Sequence, residues 1–182
     1  MVMSYRSSNR LRSLWVASLL GLRGSDRVLE VGFGPGVGVA ALARRAGVVY
    51  GADHSGVMVR MARLRNAAAV RAGRVELVRA SVDGLPSYSP LDAVMAVNTV
   101  GMWPDPPSRL ADLRALLRPG GRIAIASQPR CPGATAETTA RAADELRELL
   151  LGAGFTDIRV ETLDLEPPVA CVIATNPAKD PS

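Results

Sequence analysis

The sequence predicts a doubly wound α/β sandwich, with helices on both faces of a mostly parallel sheet and an antiparallel hairpin at one edge. Three observations carry this reading. From residue 27 onward, apolar runs of strand length alternate with segments of helical period. The first run stops at Gly32, Gly34, Gly36 and Gly38, as a strand does when it turns tightly into a helix. The last two runs have too little chain between them for a helix, so they pair antiparallel, whereas strands joined by helical crossovers pair parallel.

Each element follows in order. Leu11, Leu14, Trp15, Ser18, Leu19 and Leu22 recur at helical spacing, which predicts an amphipathic helix packed on the domain by that face. Arg6, Arg10 and Arg12 precede an apolar stretch, as in a secretory signal, but Arg23-Gly24-Ser25-Asp26 offers no small-residue cleavage site. The first strand is Arg27-Val28-Leu29-Glu30-Val31, and a helix over residues 37–46 follows its glycine turn. A second strand over 48–52 ends at Asp53, and Ser55 caps a helix whose core face is Val57, Met61, Leu64 and Ala68. The third strand covers 75–78. The fourth, 91–97, is nearly all apolar, as a strand buried on both faces should be. Asp105 and Pro106 supply an N-cap and a first-turn proline for a helix that turns Leu110, Leu113, Leu116 and Leu117 inward and stops at Pro119-Gly120-Gly121. A fifth strand over 122–126, a loop over 127–136, a helix over 137–151 closed by Gly152 and Gly154, and strands over 157–163 and 169–174 complete the chain. Five βα units and a terminal hairpin make one domain over residues 1–182: an N-terminal lid and helix (1–25), a core (26–174) and a tail (175–182). Residues 1–11 are the spare segment and are expected to fold over the ligand.

Composition excludes several classes. A chain of 182 residues with 48% apolar content buries a core that needs no metal or disulfide staple. Cys131, Cys171 and the sole histidine, His54, are too few for a metal cluster or a disulfide scaffold. The net charge of +5 raises the possibility of a nucleic-acid partner, but Lys179 is the one lysine among 22 basic residues. That arginine skew reflects coding composition rather than a phosphate-tracking surface, so no stable nucleic-acid partner is expected. No apolar run approaches the ~18 residues that span a bilayer, and a soluble cytoplasmic protein is expected.

In a doubly wound sheet the ligand lies beyond the carboxyl ends of the strands, at the first βα turn. Here that turn is Gly32-Phe33-Gly34-Pro35-Gly36-Val37-Gly38. The dinucleotide spacing Gly-x-Gly-x-x-Gly fails from either start, because Gly32 and Gly34 lead to Val37, and Gly34 and Gly36 lead to Val39. Glu30, two residues before the first glycine, would repel a pyrophosphate and attract a cation. Asp53 ends the second strand, where a carboxylate accepts from both hydroxyls of a ribose. The ligand implied is a nucleoside with a ribose diol, a positive charge and no pyrophosphate.

With these residues in place, the sequence resembles the class I S-adenosylmethionine-dependent methyltransferases, of the small single-domain, type 11-like kind, over nearly its whole length. Val28-Leu29-Glu30-Val31-Gly32-Phe33-Gly34-Pro35-Gly36 looks like their motif I, and Gly51-Ala52-Asp53-His54-Ser55 like the acidic end of their second strand. Leu85-Pro86 follows the third strand as in the family, and Leu117-Arg118-Pro119-Gly120-Gly121-Arg122 looks like the turn into the fifth. The resemblance implies a Rossmann-like, seven-stranded sheet of order 3-2-1-4-5-7-6 with strand seven antiparallel, and S-adenosylmethionine lying across strands one, two and four. It further implies that Glu30 supports the glycine loop or the methionine ammonium, and that Gly32, Phe33, Gly34 and Gly36 surround the methionyl and ribose portions. Asp53 would hold the ribose, with His54 and Met58 flanking the adenine. Ser81-Val82 stand where the family often has Asp-Ala, so the adenine edge falls to the Val82 N–H. Asn98 faces the cofactor amino group or the substrate.

On the substrate side the resemblance points to Val100 and Trp103. Asn98-Thr99-Val100-Gly101 replaces the Asn-Pro-Pro-Tyr of amine methyltransferases that act on nucleic acid or protein, which argues against exocyclic-amine chemistry. His54 is a candidate base, although in the family the residue after that aspartate commonly covers one adenine face. Cys131, in Gln128-Pro129-Arg130-Cys131-Pro132, matches no cysteine-nucleophile motif and reads as a free loop thiol, and Cys171 as a small strand residue. Trp103 serves either the core or the substrate pocket, and Arg6, Arg10 and Arg12 either receive an anion or form a solvated helix face. The function implied is in-line methyl transfer from S-adenosylmethionine to a small molecule. The alternatives are a cofactor-holding module without turnover, and a nucleic-acid methyltransferase. A homodimer is a further expectation, since so thin a lid can be lent by a second copy.

Overall fold

The computed structural model describes residues 5–178. Its elements run α1 (Tyr5–Leu19), β1 (Arg27–Val31), α2 (Val37–Ala43), β2 (Val48–Asp53), α3 (Gly56–Arg65), α4 (Ala67–Arg71), β3 (Val75–Arg79), β4 (Leu91–Val97), α5 (Pro106–Leu116), β5 (Leu117–Ser127), α6 (Ala136–Gly152), β6 (Thr156–Leu163) and β7 (Val169–Thr175). The strands form one sheet in the order β3-β2-β1-β4-β5-β7-β6. β1 through β5 pair parallel, and β7 runs antiparallel to both β5 and β6. The expected fold class, sheet order and antiparallel strand all stand.

Alternation along each strand divides the core in two. Val28 and Met95 face a layer built from α1, α2 and α3, with Val16, Leu20, Leu42 and Val59. Leu29 and Val94 face the opposite layer, where α5 and α6 bring Leu110, Leu113, Leu146 and Leu150 against Phe155. Each such side chain contributes roughly 1.5–3 kcal/mol when fully buried. β6 is an edge strand with a mostly exposed, polar surface, which discourages pairing with another chain.

Four sequence expectations are corrected. The face of α3 is not Val57, Met61, Leu64 and Ala68: Val57 and Leu64 are 64% and 74% exposed, and Val59, Ala62 and Asn66 are buried instead. Close packing chose that face. A side chain at Gly36 would collide with Ala62, so a larger residue at either position would push α3 off the glycine turn. Likewise α1 is rotated from its predicted face and buries Arg12, Ser13, Val16, Ala17 and Leu20, leaving Leu11 exposed and Leu14, Trp15, Leu19 and Leu22 on its flanks. The third strand has no helix of its own, because β3 reaches β4 through a 3-10 turn, Val82–Gly84, and extended chain. Finally, Leu117 leaves α5 and begins β5 opposite Leu91, five residues earlier than predicted, with a register break where Arg118 pairs with Asp92 at 2.6 Å.

No helix among the described residues is long and apolar enough to cross a membrane. Among those residues, no three His, Cys, Asp or Glu side chains gather as a metal site. Cys171 lies buried in β7 with its thiol pushed up to about 12 by burial, and Cys131 is exposed.

Candidate cofactor and acceptor site

The carboxyl ends of β1, β2 and β4 open into one cavity of about 780 Å³. Its deepest charged group is Glu30, on the central strand between Gly51 and Met95. The carboxylate is buried because Gly38 has no side chain: a Cβ there would run into Glu30 Oε1. Oε2 has no hydrogen-bond partner among the described residues. Burial, and secondarily the Asp53 charge, pushes the Glu30 carboxyl up to about 8. A buried acid without a counter-ion is an unfavourable group unless something cationic meets it.

Asp53 ends β2 and is itself buried. Its Oδ2 accepts the Gly34 N–H at 2.8 Å and its Oδ1 the Ser55 N–H at 2.9 Å. The aspartate therefore holds the glycine turn in shape. Two acceptor sites on its oxygens remain for a ligand. His54 Nδ1 lies 3.8 Å from Asp53 Oδ1 with 77% of its side chain exposed, at the rim of the cavity. Gly32, at φ 72°, lies so close to Thr99 that a side chain there would overlap it. On the far rim the Ser81 hydroxyl donates to the carboxylate of Asp83, which holds Asp83 below the usual carboxylate range.

Asn98 follows β4 at φ 57°, a left-handed conformation that asparagine tolerates. Its Oδ1 accepts the Gln128 N–H at 2.7 Å, and Gln128 Oε1 in turn accepts from Arg12 Nη1 at 2.5 Å. Arg12 Nη2 donates to Asn9 Oδ1 at 2.6 Å. This chain of contacts joins α1 to the ends of β5 and β4. Arg12 is 5% exposed, and with Asn9 and Ser13 it brings α1 into the cavity wall. A second cavity, of about 520 Å³, lies between α6 and the β4–β5 tips and shares Asn98, Thr99, Met102 and Arg130 with the first.

Of the residues predicted for the site, Glu30, Gly32, Phe33, Gly34, Asp53, His54, Met58, Ser81, Val82, Asn98 and Trp103 line the first cavity. Gly36 does not, because it faces α3, and Val100 lines the second cavity instead. Of the two readings of Arg12, an anion-receiving residue or part of a solvated helix face, the second is overturned, because Arg12 is buried in the cavity wall. Sequence reasoning missed Gly38 as the space beneath which Glu30 fits. Of the expected lid, residues 1–4 lie outside the described residues, and the rest begins α1.

Comparison with known proteins agrees with this geometry. A family described as "Methyltransferase domain" matches residues 28–121. An uncharacterized methyltransferase, YdaC, of Bacillus subtilis (strain 168) is 31% identical over 176 residues, covering 94% of this chain and 95% of its own. The ubiquinone biosynthesis O-methyltransferase of Paracidovorax citrulli (strain AAC00-1) is 34% identical over 119 residues, 63% of this chain and 48% of that protein. Among solved structures, the N-methyltransferase NodS of Bradyrhizobium japonicum WM9 in complex with S-adenosyl-L-homocysteine superposes with a TM-score of 0.74 at 15% identity, covering 94% of this chain and 87% of that one. The chain belongs to the class I S-adenosylmethionine-dependent methyltransferases. Its cofactor is S-adenosylmethionine.

Proposed function

We propose that the protein transfers the methyl group of S-adenosylmethionine to a small-molecule acceptor. The observation that carries this reading is the second cavity, which adjoins the first and is of the size that small ligands occupy. The first cavity fits the cofactor by its donors and acceptors: an orphaned buried carboxylate for an ammonium, a half-satisfied carboxylate for a diol, and a buried guanidinium for a carboxylate.

In this reading Glu30 takes the methionine ammonium, and Arg12 adds a charge-assisted bond to the carboxylate while keeping Gln128 in place. Gly32, Phe33 and Gly34 bound the methionyl and ribose portions, and Gly36 sets the turn from behind. Asp53 accepts from the ribose hydroxyls, His54 and Met58 cover the adenine faces, and the Ser81-Val82 backbone meets its edge. Held by these residues, S-adenosylmethionine would supply an electrophilic methyl for the acceptor's lone pair and would be left as S-adenosylhomocysteine. The protein's part is proximity, alignment and exclusion of water, with α1 and the residues before it as the lid. Similarity to an O-methyltransferase supports oxygen as the acceptor atom.

The test is turnover. Purified protein given S-adenosylmethionine and a metabolite extract of its own cells should accumulate S-adenosylhomocysteine above a no-extract control. Tight cofactor binding with no accumulation would instead mark a module that holds the cofactor without using it.

A further inference from the structure

Asn98 carries a feature that the cofactor reading does not use. Because Oδ1 is committed to the Gln128 N–H at 2.7 Å, the two ends of the carboxamide are distinguished, and the remaining end is Nδ2. That nitrogen is buried and has no hydrogen-bond partner among the described residues. Asn98 stands where the two cavities meet, and the lining of the second is mostly apolar, with Val100, Ile125, Leu146 and Leu149 beside the charged Arg130 and Glu145. The residue is held in a left-handed conformation with its oxygen pinned, so the donor cannot turn away without breaking the Gln128 bond. A desolvated N–H at the mouth of an apolar cleft is satisfied by a ligand acceptor.

We propose that the cleft between α6 and the β4–β5 tips binds an apolar-bodied small molecule that presents an oxygen, a phenolic or enolic hydroxyl, at the cavity junction, and that Asn98 Nδ2 selects it by donating to that oxygen. The inference rests on the reading of the adjoining cavity as the cofactor's. An ammonium at Nδ2 would set donor against donor, so Asn98 disfavours a protonated amine at the junction, even though Glu145 lines the same cavity. A donor to the oxygen also favours its ionised form, in which the lone pair is most available, and the proton leaves to water. The same geometry separates Asn98 from the methionine ammonium, since an NH2 group has nothing to accept with.

The experiment uses the full chain saturated with S-adenosylhomocysteine and measures binding of 2-naphthol and naphthalene by naphthyl fluorescence, in the wild type, in Asn98→Asp and in Asn98→Gly. Asp keeps the acceptor for the Gln128 N–H, and Gly suits the backbone. The wild type should bind 2-naphthol at least threefold tighter than naphthalene. Both variants should lose or reverse that preference when each is held at an S-adenosylhomocysteine concentration that saturates it. A preference that survives in both variants, or a wild type that binds neither probe or shows no preference, would overturn the proposal. A more than tenfold loss of S-adenosylhomocysteine affinity in both variants would also overturn it, by assigning Asn98 to the cofactor. Failure of the wild type to bind S-adenosylhomocysteine at all would overturn the cofactor reading beneath it, and the two failures are told apart at the first titration.

Discussion

Glu30 shows how a single residue ties the fold to the proposed cofactor site. Its carboxyl is raised from 4.5 in an unfolded chain to about 8 in the free protein, so between those values the folded state holds a proton that the unfolded state has released. Stability therefore falls as pH rises through that window and levels off above it. Glu30→Gln, isosteric and neutral, should remove the slope and leave the free protein more stable than the wild type at pH 8 by about 1–3 kcal/mol, measured by urea unfolding. The same substitution should weaken S-adenosylhomocysteine binding. At pH 7 the wild type should release a proton on binding, seen as calorimetric enthalpies that differ between phosphate and Tris buffers, whereas in Glu30→Gln the two should coincide. Asp53 is a different case. Its oxygens hold the Gly34 and Ser55 N–H groups as well as facing the cavity, so Asp53→Ala should lose roughly 1.5–3 kcal/mol of cofactor affinity and also lower the melting temperature. Ser81→Ala should leave affinity nearly level, because the hydroxyl is spent on Asp83 at the solvent rim.

At the scale of elements, α1 and α3 show what a sequence pattern does and does not disclose. The strand order came from the family resemblance, whereas the strands, the glycine turn and the antiparallel end were legible because each follows from local punctuation: apolar runs, glycines and the chain length between runs. Helix faces were not. On α3 three large hydrophobic residues, Val57, Met61 and Leu64, face solvent, and the buried face, with Val59 and Ala62, is the one small enough for the backbone at Gly36 to approach. Ala62→Leu should therefore destabilise by about 1–3 kcal/mol through overpacking, while Leu64→Lys should change stability by no more than about 0.5 kcal/mol; chemical denaturation compares them directly. On α1, Val16, Ala17 and Leu20 anchor the helix to the core. Asn9 and Arg12 reach from it toward the cavity. Deleting residues 1–10 should spare the core yet weaken S-adenosylhomocysteine binding, because Asn9 supports the Arg12 guanidinium. Hydrogen exchange in the first half of α1 should slow when S-adenosylhomocysteine is added, and unchanged exchange would mean that the helix is no lid.

Across the whole molecule, many of the arginines that make the chain basic serve as staples between elements. Arg63 donates to the Leu77 carbonyl at 2.7 Å, Arg122 pairs with Asp26 at 3.1 Å, and Arg159 donates to the Leu19 carbonyl at 3.1 Å. Arg12 is another, joining α1 to Gln128, and its burial beside a cavity is a property of the assembled sheet and helix that composition does not show. The same holds for the second cavity, whose walls come from α6 and from two strand tips far apart in sequence. Its existence needed the fold, whereas the acids and glycines of the cofactor cavity were already legible at the ends of predicted strands. In the proposed function, one continuous space holds S-adenosylmethionine on the β1–β2 side and an acceptor on the β4–β5 side. A crystal structure of the S-adenosylhomocysteine complex tests it most directly. The prediction is a ribose diol on Asp53, an amino group on Glu30, a carboxylate at Arg12, and the sulfur facing the cleft beside Asn98 with Nδ2 left free for the acceptor. Homocysteine density running instead away from Asn98, or a sulfur sealed from the cleft by α6 or the 127–135 loop, would contradict it.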